Sequence, residues 1–238
     1  MNWVKRFEQN KLGRDLIVGD VHGHFTKLQE ALDAIDFDAE RDRLFSVGDL
    51  VDRGPESGDV LAWLARPWFH AVQGNHEDMA IDWADGIGDR AMYRANGGAW
   101  NMKSALGVQR DIAEAMRALP VAIELETAAG LVGIAHADCP LEHWGDFTQT
   151  LAGENDAHDM ERLHVRSMAL WNRQRINFGD RAGVRGVRAV VVGHTPVKEV
   201  CVLGNVYHID TGGWLGRKFT ILNAETLYPE IQRAKEAA

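Results

Sequence analysis

The sequence predicts an α/β fold with at least part of its sheet parallel. Three observations carry this. Short apolar runs alternate with stretches of three- and four-residue apolar spacing, almost every run ends in Gly followed by Asp, Asn or His, and strand-like runs return after a helical middle section. Polar residues at successive strand ends belong beyond the carboxyl edge of an open α/β sheet, where ligands bind.

Taken in order, RDLIVGD (14–20) predicts a strand, FTKLQEALDAID (25–36) a helix and DRLFSVGD (42–49) a second strand. SGDVLAWLAR (57–66) has helical spacing and FHAVQGN (69–75) is extended. Residues 78–119 form a helix-rich section, with the apolar residues of EDMAIDWAD and QRDIAEAMRALP at helical intervals, and Pro120 ends it. Strands resume with VAIELET (121–127), GLVGIAHA (130–137), RAVVVGH (188–194), KEVCVLGNVYHID (198–210) and KFTILNA (218–224). Between His143 and Asn172 a polar, His-containing stretch reads as a loop followed by a helix ending near LWNR. No repeat, low-complexity segment or Gly/Ser/Pro linker interrupts the chain, so one domain is expected over residues 1–238.

With 238 residues, 45% hydrophobic and 26% charged, the chain can bury a substantial core. A net charge of −9 argues against a nucleic-acid coat, whose affinity comes from Lys and Arg. The N-terminal stretch MNWVKRFEQNKLGRD is polar, and no run approaches the roughly 20 apolar residues of a membrane span, so a soluble, cytoplasmic protein is expected. Cys139 and Cys201 are too few for a disulfide framework and lack zinc-knuckle spacing; both are read as reduced and outside any metal site. The sequence carries no signal for oligomeric state.

Five strand ends supply the chemistry: GDVHGH (19–24), GDLVDRGP (48–55), GNHE (74–77), GIAHAD (133–138) and GHTP (193–196). Taken singly, an Asp after a strand reads as a helix cap or turn former. Together they deliver Asp20, His22, Asp49, Asn75, His136 and His194, a mixed nitrogen and oxygen set suited to zinc, iron or manganese. Asp20 and His22 are two apart, so in extended backbone both leave the same face toward one ion. Asp49, with two oxygens, would bridge to a second ion drawing on Asn75, His136 and His194. Two ions roughly 3.5 to 4 Å apart lower the pKa of a water to about 7 and make hydroxide available for in-line attack on phosphorus.

Around this set, Arg53 offers a guanidinium fork to a phosphate. His76 is placed to protonate a leaving alkoxide, with Asp52 to orient it and raise its pKa. The structural readings of the same residues are a surface ion pair for Arg53 and a loop histidine for His76.

These motifs resemble those of the phosphoprotein phosphatase superfamily, whose signature is GDxHG, GDxVDRG and GNHE followed by two metal-binding histidines. The bacteriophage lambda type is most similar, over most of the chain, with HAD, WNR, GHTP and HIDTG as further counterparts. The resemblance implies a calcineurin-like metallophosphoesterase fold, two mixed β-sheets flanked by helices in an α/β/β/α sandwich. It also implies manganese, or iron with zinc, and hydrolysis of phosphoserine and phosphothreonine in phosphoproteins or phosphopeptides without a covalent intermediate. By motif, Asn75 joins Arg53 and Arg173 as phosphate-binding residues, His76 is the general acid and Asp52 its partner.

One position departs from the lambda-type pattern: Gln73 stands where VRGNHE has arginine, so a neutral amide is expected close to the phosphate. His208 is expected to be structural. Residues 143–165 are expected to border the site as a loop that sets substrate selectivity. Two rival functions remain, a dinucleoside polyphosphate hydrolase of the same fold and a non-catalytic phosphoprotein-binding module, while a nucleic-acid phosphoesterase is disfavoured by the acidic balance. The intact set of six ligands with Asp52, Arg53 and His76 weighs against the second.

Overall fold

The computed structural model describes residues 2–155 and 157–227. In chain order these form β1 (Val4–Phe7), β2 (Asp15–Val18), α1 (Phe25–Asp33), β3 (Arg43–Ser46), α2 (Val60–Leu64) and β4 (Phe69–Ala71). A helical section follows: α3 (Asn75–Ala84), α4 (Arg90–Ala95), α5 (Ala99–Met102) and α6 (Leu106–Arg117). Then come β5 (Ala122–Leu125), β6 (Val132–Ile134), α7 (Trp144–Ala152), α8 (Asp159–Trp171), α9 (Gln174–Phe178), β7 (Ala189–Val192), β8 (Cys201–Leu203), β9 (Val206–His208) and β10 (Ile221–Asn223).

Two sheets pack face to face. One has the order β10-β2-β3-β4, parallel except for β10; the other has the order β1-β5-β6-β7-β9-β8 and is mixed. The strands read as near-continuous apolar runs because both faces are buried. In β2, Ile17 points between the sheets with Phe45, Ile134 and Val191. Leu16 and Val18 point outward, where Leu28 and Leu32 of α1, Val60 and Trp63 of α2, and Ile112 and Met116 of α6 cover them. The other sheet repeats the device, with Val190 and Val192 of β7 under Trp144, Phe147 and Leu151 of α7 and Val165 and Ala169 of α8. This is the expected α/β/β/α arrangement of two mixed sheets flanked by helices. Among the described residues, no helix is long and apolar enough to cross a membrane.

Three local expectations are corrected. The N-terminal segment contains β1, which pairs parallel with β5, Val4 opposite Ala122; its edge position and the charges in VKRF hide it from a hydrophobic pattern. KEVCVLGNVYHID is a hairpin, β8 antiparallel to β9, turning at Gly204 with φ 64°. Residues 144–152 form helix α7 where a loop was expected. Trp144, Phe147 and Leu151 lie three and four apart and fall on one buried stripe, the His143 ring accepts the Gly145 N–H, and Gly153 closes the helix in the left-handed region.

Candidate metal centre

The strand ends converge. β2 runs into Asp20, β3 into Asp49, β6 into His136 and β7 into His194, while Asn75 and His76 open α3 just beyond β4. Asp20, His22, Asp49, Asn75, His136 and His194 are all 5% exposed or less. Seven described non-glycine residues have left-handed backbone, and five of them, His22, Asp49, Asp52, Arg53 and His194, belong to this site. Such geometry is strained and persists where surrounding structure fixes it. Two glycines permit the close approach: a Cβ on Gly193 would stand 2.0 Å from Asp20 Oδ1, and one on Gly74 would stand 2.2 Å from Asp49 Oδ1.

The donor atoms face one another. His136 Nδ1–H donates to the Val47 carbonyl (2.7 Å), so a neutral ring presents the Nε2 lone pair to Asn75 Oδ1 (3.0 Å), His194 Nδ1 (3.1 Å) and Asp49 Oδ1 (3.3 Å). His194 Nδ1 lies 2.8 Å from the same Asn75 oxygen, and its Nε2 is buried with no partner in good hydrogen-bond geometry among the described residues. On the other side of Asp49, Oδ2 is 3.5 Å from His22 Nε2 and 3.8 Å from His76 Nε2, and His22 Nδ1–H is committed to the Val51 carbonyl (2.9 Å). Asp49 thus belongs to two groups of donor atoms, one with His22 and His76 and one with His136 and His194. Lone pairs that crowd together with few protons between them fit divalent cations, and the mixed nitrogen and oxygen set fits manganese, iron or zinc. Asp20 belongs to neither group of three, and its two oxygens accept the His194 backbone N–H at 3.1 Å each.

Electrostatics follow from burial. Asp20 is raised well above the usual carboxylate range by burial, then by Asp210 and Asp49. Burial pushes against ionisation of Asp49 too, but His136, His76 and His22 outweigh it and hold that carboxyl low. Burial lowers His22, and burial with the neighbouring His136 lowers His194, favouring the neutral rings that metal ligation needs, whereas Asp49 outweighs burial at His136 and raises it.

A second set of groups carries protons and phosphate. His76 Nδ1–H donates to Asp52 Oδ2 (2.7 Å), whose other oxygen accepts the Trp100 indole N–H (2.7 Å). The Arg53 guanidinium forks between His22 Nε2 and His76 Nε2, 3.0 Å from each. Trp214 underlies that fork, its ring centroid 4.3 Å from the guanidinium carbon and 4.6 Å from the His22 ring. The Trp214 indole N–H points to Asp210 at 3.3 and 3.4 Å.

The motifs contain part of the support for this centre, Glu77 of GNHE, without showing its role. Glu77, fully buried, accepts the N–H groups of Gly74 (2.7 Å), Asp49 (2.8 Å), Leu50 (2.8 Å) and Val51 (3.4 Å). It therefore ties the loop after β3 to the start of α3. Asp210 follows β9 as Asp20 follows β2, so the strand-end rule that found the ligands would also have found Asp210. Trp100 and Trp214 carry no such signal, since Asp52 and Arg53, which they touch in the site, lie far away in sequence.

The remaining expected positions divide. Arg173 is exposed, donates to Thr195 Oγ1 at 3.3 Å, and adds its charge to those that lower His194. Gln73 does not present its amide to the site: its Nε2 donates to the Met116 carbonyl (2.8 Å) and its Oε1 accepts from Arg166 (2.8 Å). His208 is 1% exposed with neither ring nitrogen bonded, and burial followed by Arg175 lowers its pKa to about 4. The segment 143–165 supplies α7 to the outer core instead of a free border loop. Cys139 and Cys201 are free, and burial pushes the Cys139 thiol up to about 12.

Two mixed sheets whose strand ends bring carboxylates, imidazoles and an amide around one bridging aspartate define a metal-dependent phosphoesterase architecture. The family model for calcineurin-like phosphoesterases matches residues 14–198, and the chain belongs to this family. It is 34% identical to serine/threonine-protein phosphatase 1 of Salmonella typhimurium, across 91% of this chain and 94% of that one. It is 35% identical to serine/threonine-protein phosphatase 2 of Escherichia coli, across 82% and 86%. Among solved structures, a chain described as a candidate diadenosine tetraphosphatase superposes with a TM-score of 0.68 at 22% identity, covering 96% of each, a likeness of fold. The family resemblance carried by GDVHG, GDLVDRG and GNHE is borne out.

Proposed function

We propose that this chain is a serine/threonine-protein phosphatase that uses two divalent ions, manganese foremost, and acts on phosphoproteins. The carrying observation is that Arg53 and the His76–Asp52 pair lie directly against the donor group of His22 and Asp49, which shares Asp49 with the second group. The relatives named serine/threonine-protein phosphatase, 34% and 35% identical, support the substrate class. In this reading Asp20, His22 and Asp49 hold one ion, and Asp49, Asn75, His136 and His194 hold the other. When bound, such ions supply Lewis acidity toward a phosphoryl oxygen and a nucleophile drawn from water at neutral pH.

The chain's own groups do the rest. Arg53, helped by Arg173 and the Asn75 amide, binds the phosphoryl oxygens and neutralises charge that grows in the transition state. As Arg53 turns to the phosphate it leaves His76 Nε2 free to carry a proton, and the Asp52 carboxylate at Nδ1 stabilises the imidazolium. That Nε2 proton passes to the serine or threonine oxygen as its bond to phosphorus breaks. His76 also fits the first donor group, but its hydrogen bond to Asp52 and its place beside Arg53 favour the acid role.

The test is a comparison of wild type with His76→Asn, with manganese present, on para-nitrophenyl phosphate and phosphoserine peptides. Turnover should fall by at least about a hundredfold, the scale of lost general-acid work, with manganese content unchanged. Near wild-type rates in the variant would remove the acid role. Faster hydrolysis of diadenosine tetraphosphate than of phosphopeptides by the wild-type chain would replace the substrate class.

A further inference from the structure

Beyond the centre, the helical section carries a second pocket of about 300 Å³. It is lined by Trp83 at the end of α3, Arg90 and Arg94 of α4, Ala99 and Met102 of α5, and Lys103. Three of these six residues are cations and none is an acid. Elsewhere several arginines hold carboxylates: Arg14 with Asp42, Arg43 with Asp15, Arg117 with Asp85, Arg166 with Asp78 and Arg175 with Asp138. Arg90, Arg94 and Lys103 form no ion pair or hydrogen bond through their side chains among the described residues. Of the acids close in sequence, Asp89 caps α4 through the Met92 N–H (2.7 Å) and Asp85 is held by Arg117.

On a chain of net charge −9, an unpaired cationic cluster is where an acidic partner is attracted and most of the remaining surface repels it. Arg90 and Arg94 stand one helical turn apart on one face, an arrangement that destabilises an isolated helix and that an anion between them would relieve. The other walls suit the stem of a side chain. The Trp83 ring is fixed by its N–H bond to Gln109 (3.0 Å), and Met102 is adaptable.

The pocket adjoins the centre through its own wall. α5 puts Ala99 and Met102 into the pocket, while Trp100 on the same single turn donates to Asp52. The preceding turn is pressed on the phosphate-binding loop, since a Cβ on Gly97 would stand 2.6 Å from the Arg53 backbone nitrogen. One turn of helix, α5, therefore separates this pocket from the Arg53 loop.

We propose that the Trp83–Arg90–Arg94–Lys103 pocket docks an acidic segment of the phosphoprotein substrate, next to the residue being dephosphorylated. This rests on the protein phosphatase reading above, and its test separates the two. The probes are a phosphoserine peptide flanked by glutamates, the same peptide flanked by glutamines, and an unphosphorylated glutamate peptide. Each is offered to the manganese-loaded full chain and to Arg90→Glu/Arg94→Glu.

In wild type the acidic phosphopeptide should show kcat/KM at least tenfold above the neutral one, mainly through KM. The double variant should lose that preference while para-nitrophenyl phosphate is turned over as before. The unphosphorylated acidic peptide, followed by fluorescence anisotropy, should bind wild type and not the variant. Equal kcat/KM for both phosphopeptides in wild type, or a preference that survives the charge reversal, overturns the proposal. So does a variant that is impaired on diadenosine tetraphosphate alone, which would make the pocket a polyphosphate site. Binding of the acidic peptide by wild type alone, without hydrolysis of any phosphopeptide, would overturn the phosphatase reading and leave an acidic-peptide site standing.

Discussion

Glu77 gives the sharpest test of how the fold builds the centre. Its Oε1 accepts from Leu50 (2.8 Å) and Val51 (3.4 Å), and its Oε2 from Gly74 (2.7 Å) and Asp49 (2.8 Å). In Glu77→Gln the shape is kept, but one oxygen becomes an amide NH2 that faces two N–H donors. Two bonds to a charged acceptor are lost, each worth roughly 1.5–3 kcal/mol, for about 3–6 kcal/mol in all. That is a large part of the 5–15 kcal/mol, roughly, that holds a typical domain. The assay is urea unfolding at pH 8, above the value of about 7 to which burial and then Asp49 raise this carboxyl. A chelator is present so that metal loss does not add to the effect. A carboxyl raised from 4.5 to about 7 already opposes its own ionisation by roughly 3 kcal/mol, which Gln relieves, so the net loss is at most about 3 kcal/mol; with a slope of about 3 kcal/mol per molar, the midpoint should drop by up to about 1 M. A midpoint higher in the variant would refute the clamp, because among the described residues no other side chain ties Asp49, Leu50 and Gly74 together.

Three further outcomes follow from the geometry. Trp214→Ala should raise KM for para-nitrophenyl phosphate severalfold and Trp214→Phe much less, because the ring under Arg53 is worth up to about 2 kcal/mol; equal effects of the two variants would count against a stacking role. Asp49→Asn should carry less manganese than Asp20→Asn, since Asp49 belongs to both donor groups, and metal analysis showing the reverse order contradicts the bridge. His208 is held near 4 against an ordinary 6.5, so between those values the unfolded chain binds a proton that the folded chain refuses, and stability falls as pH drops through that window. The loss totals about 3 kcal/mol, and His208→Leu should lack it. Parallel stability curves for wild type and variant from pH 7.5 to pH 4 would rule this out.

Much of the fold and the donor set could be read from the chain because both depend on short-range pattern. A strand buried on both faces is a continuous apolar run, and a ligand at its carboxyl end must follow a turn, so LIVGD, LFSVGD and VVVGH each mark an element and a donor together. What depended on distant partners was not legible. β1 is defined by its pairing with β5, and the Trp100 and Trp214 roles by Asp52 and Arg53. Gln73 shows the reverse error. Its neighbours in VQGNHE placed it beside the phosphate, but the chain folds α6 and α8 around it, and the Met116 carbonyl and Arg166 take its amide away.

The strain at this centre and the Glu77 clamp are two sides of one requirement. Donor atoms that crowd within about 3 Å repel unless a cation is present, and left-handed backbone at His22, Asp49 and His194 adds its own penalty. Neither could be held by flexible loops. The loop after β3 is fixed by Glu77, and the loop after β7 by the Asp20 carboxylate that binds the His194 N–H. The glycines at 74 and 193 let those carboxylates approach the opposing backbone. Each donor is therefore set before any ion or substrate arrives, as electrostatic preorganisation requires. Glu77, Gly74 and Gly193 should consequently tolerate substitution as poorly as the donors themselves, although none of the three offers an atom to an ion.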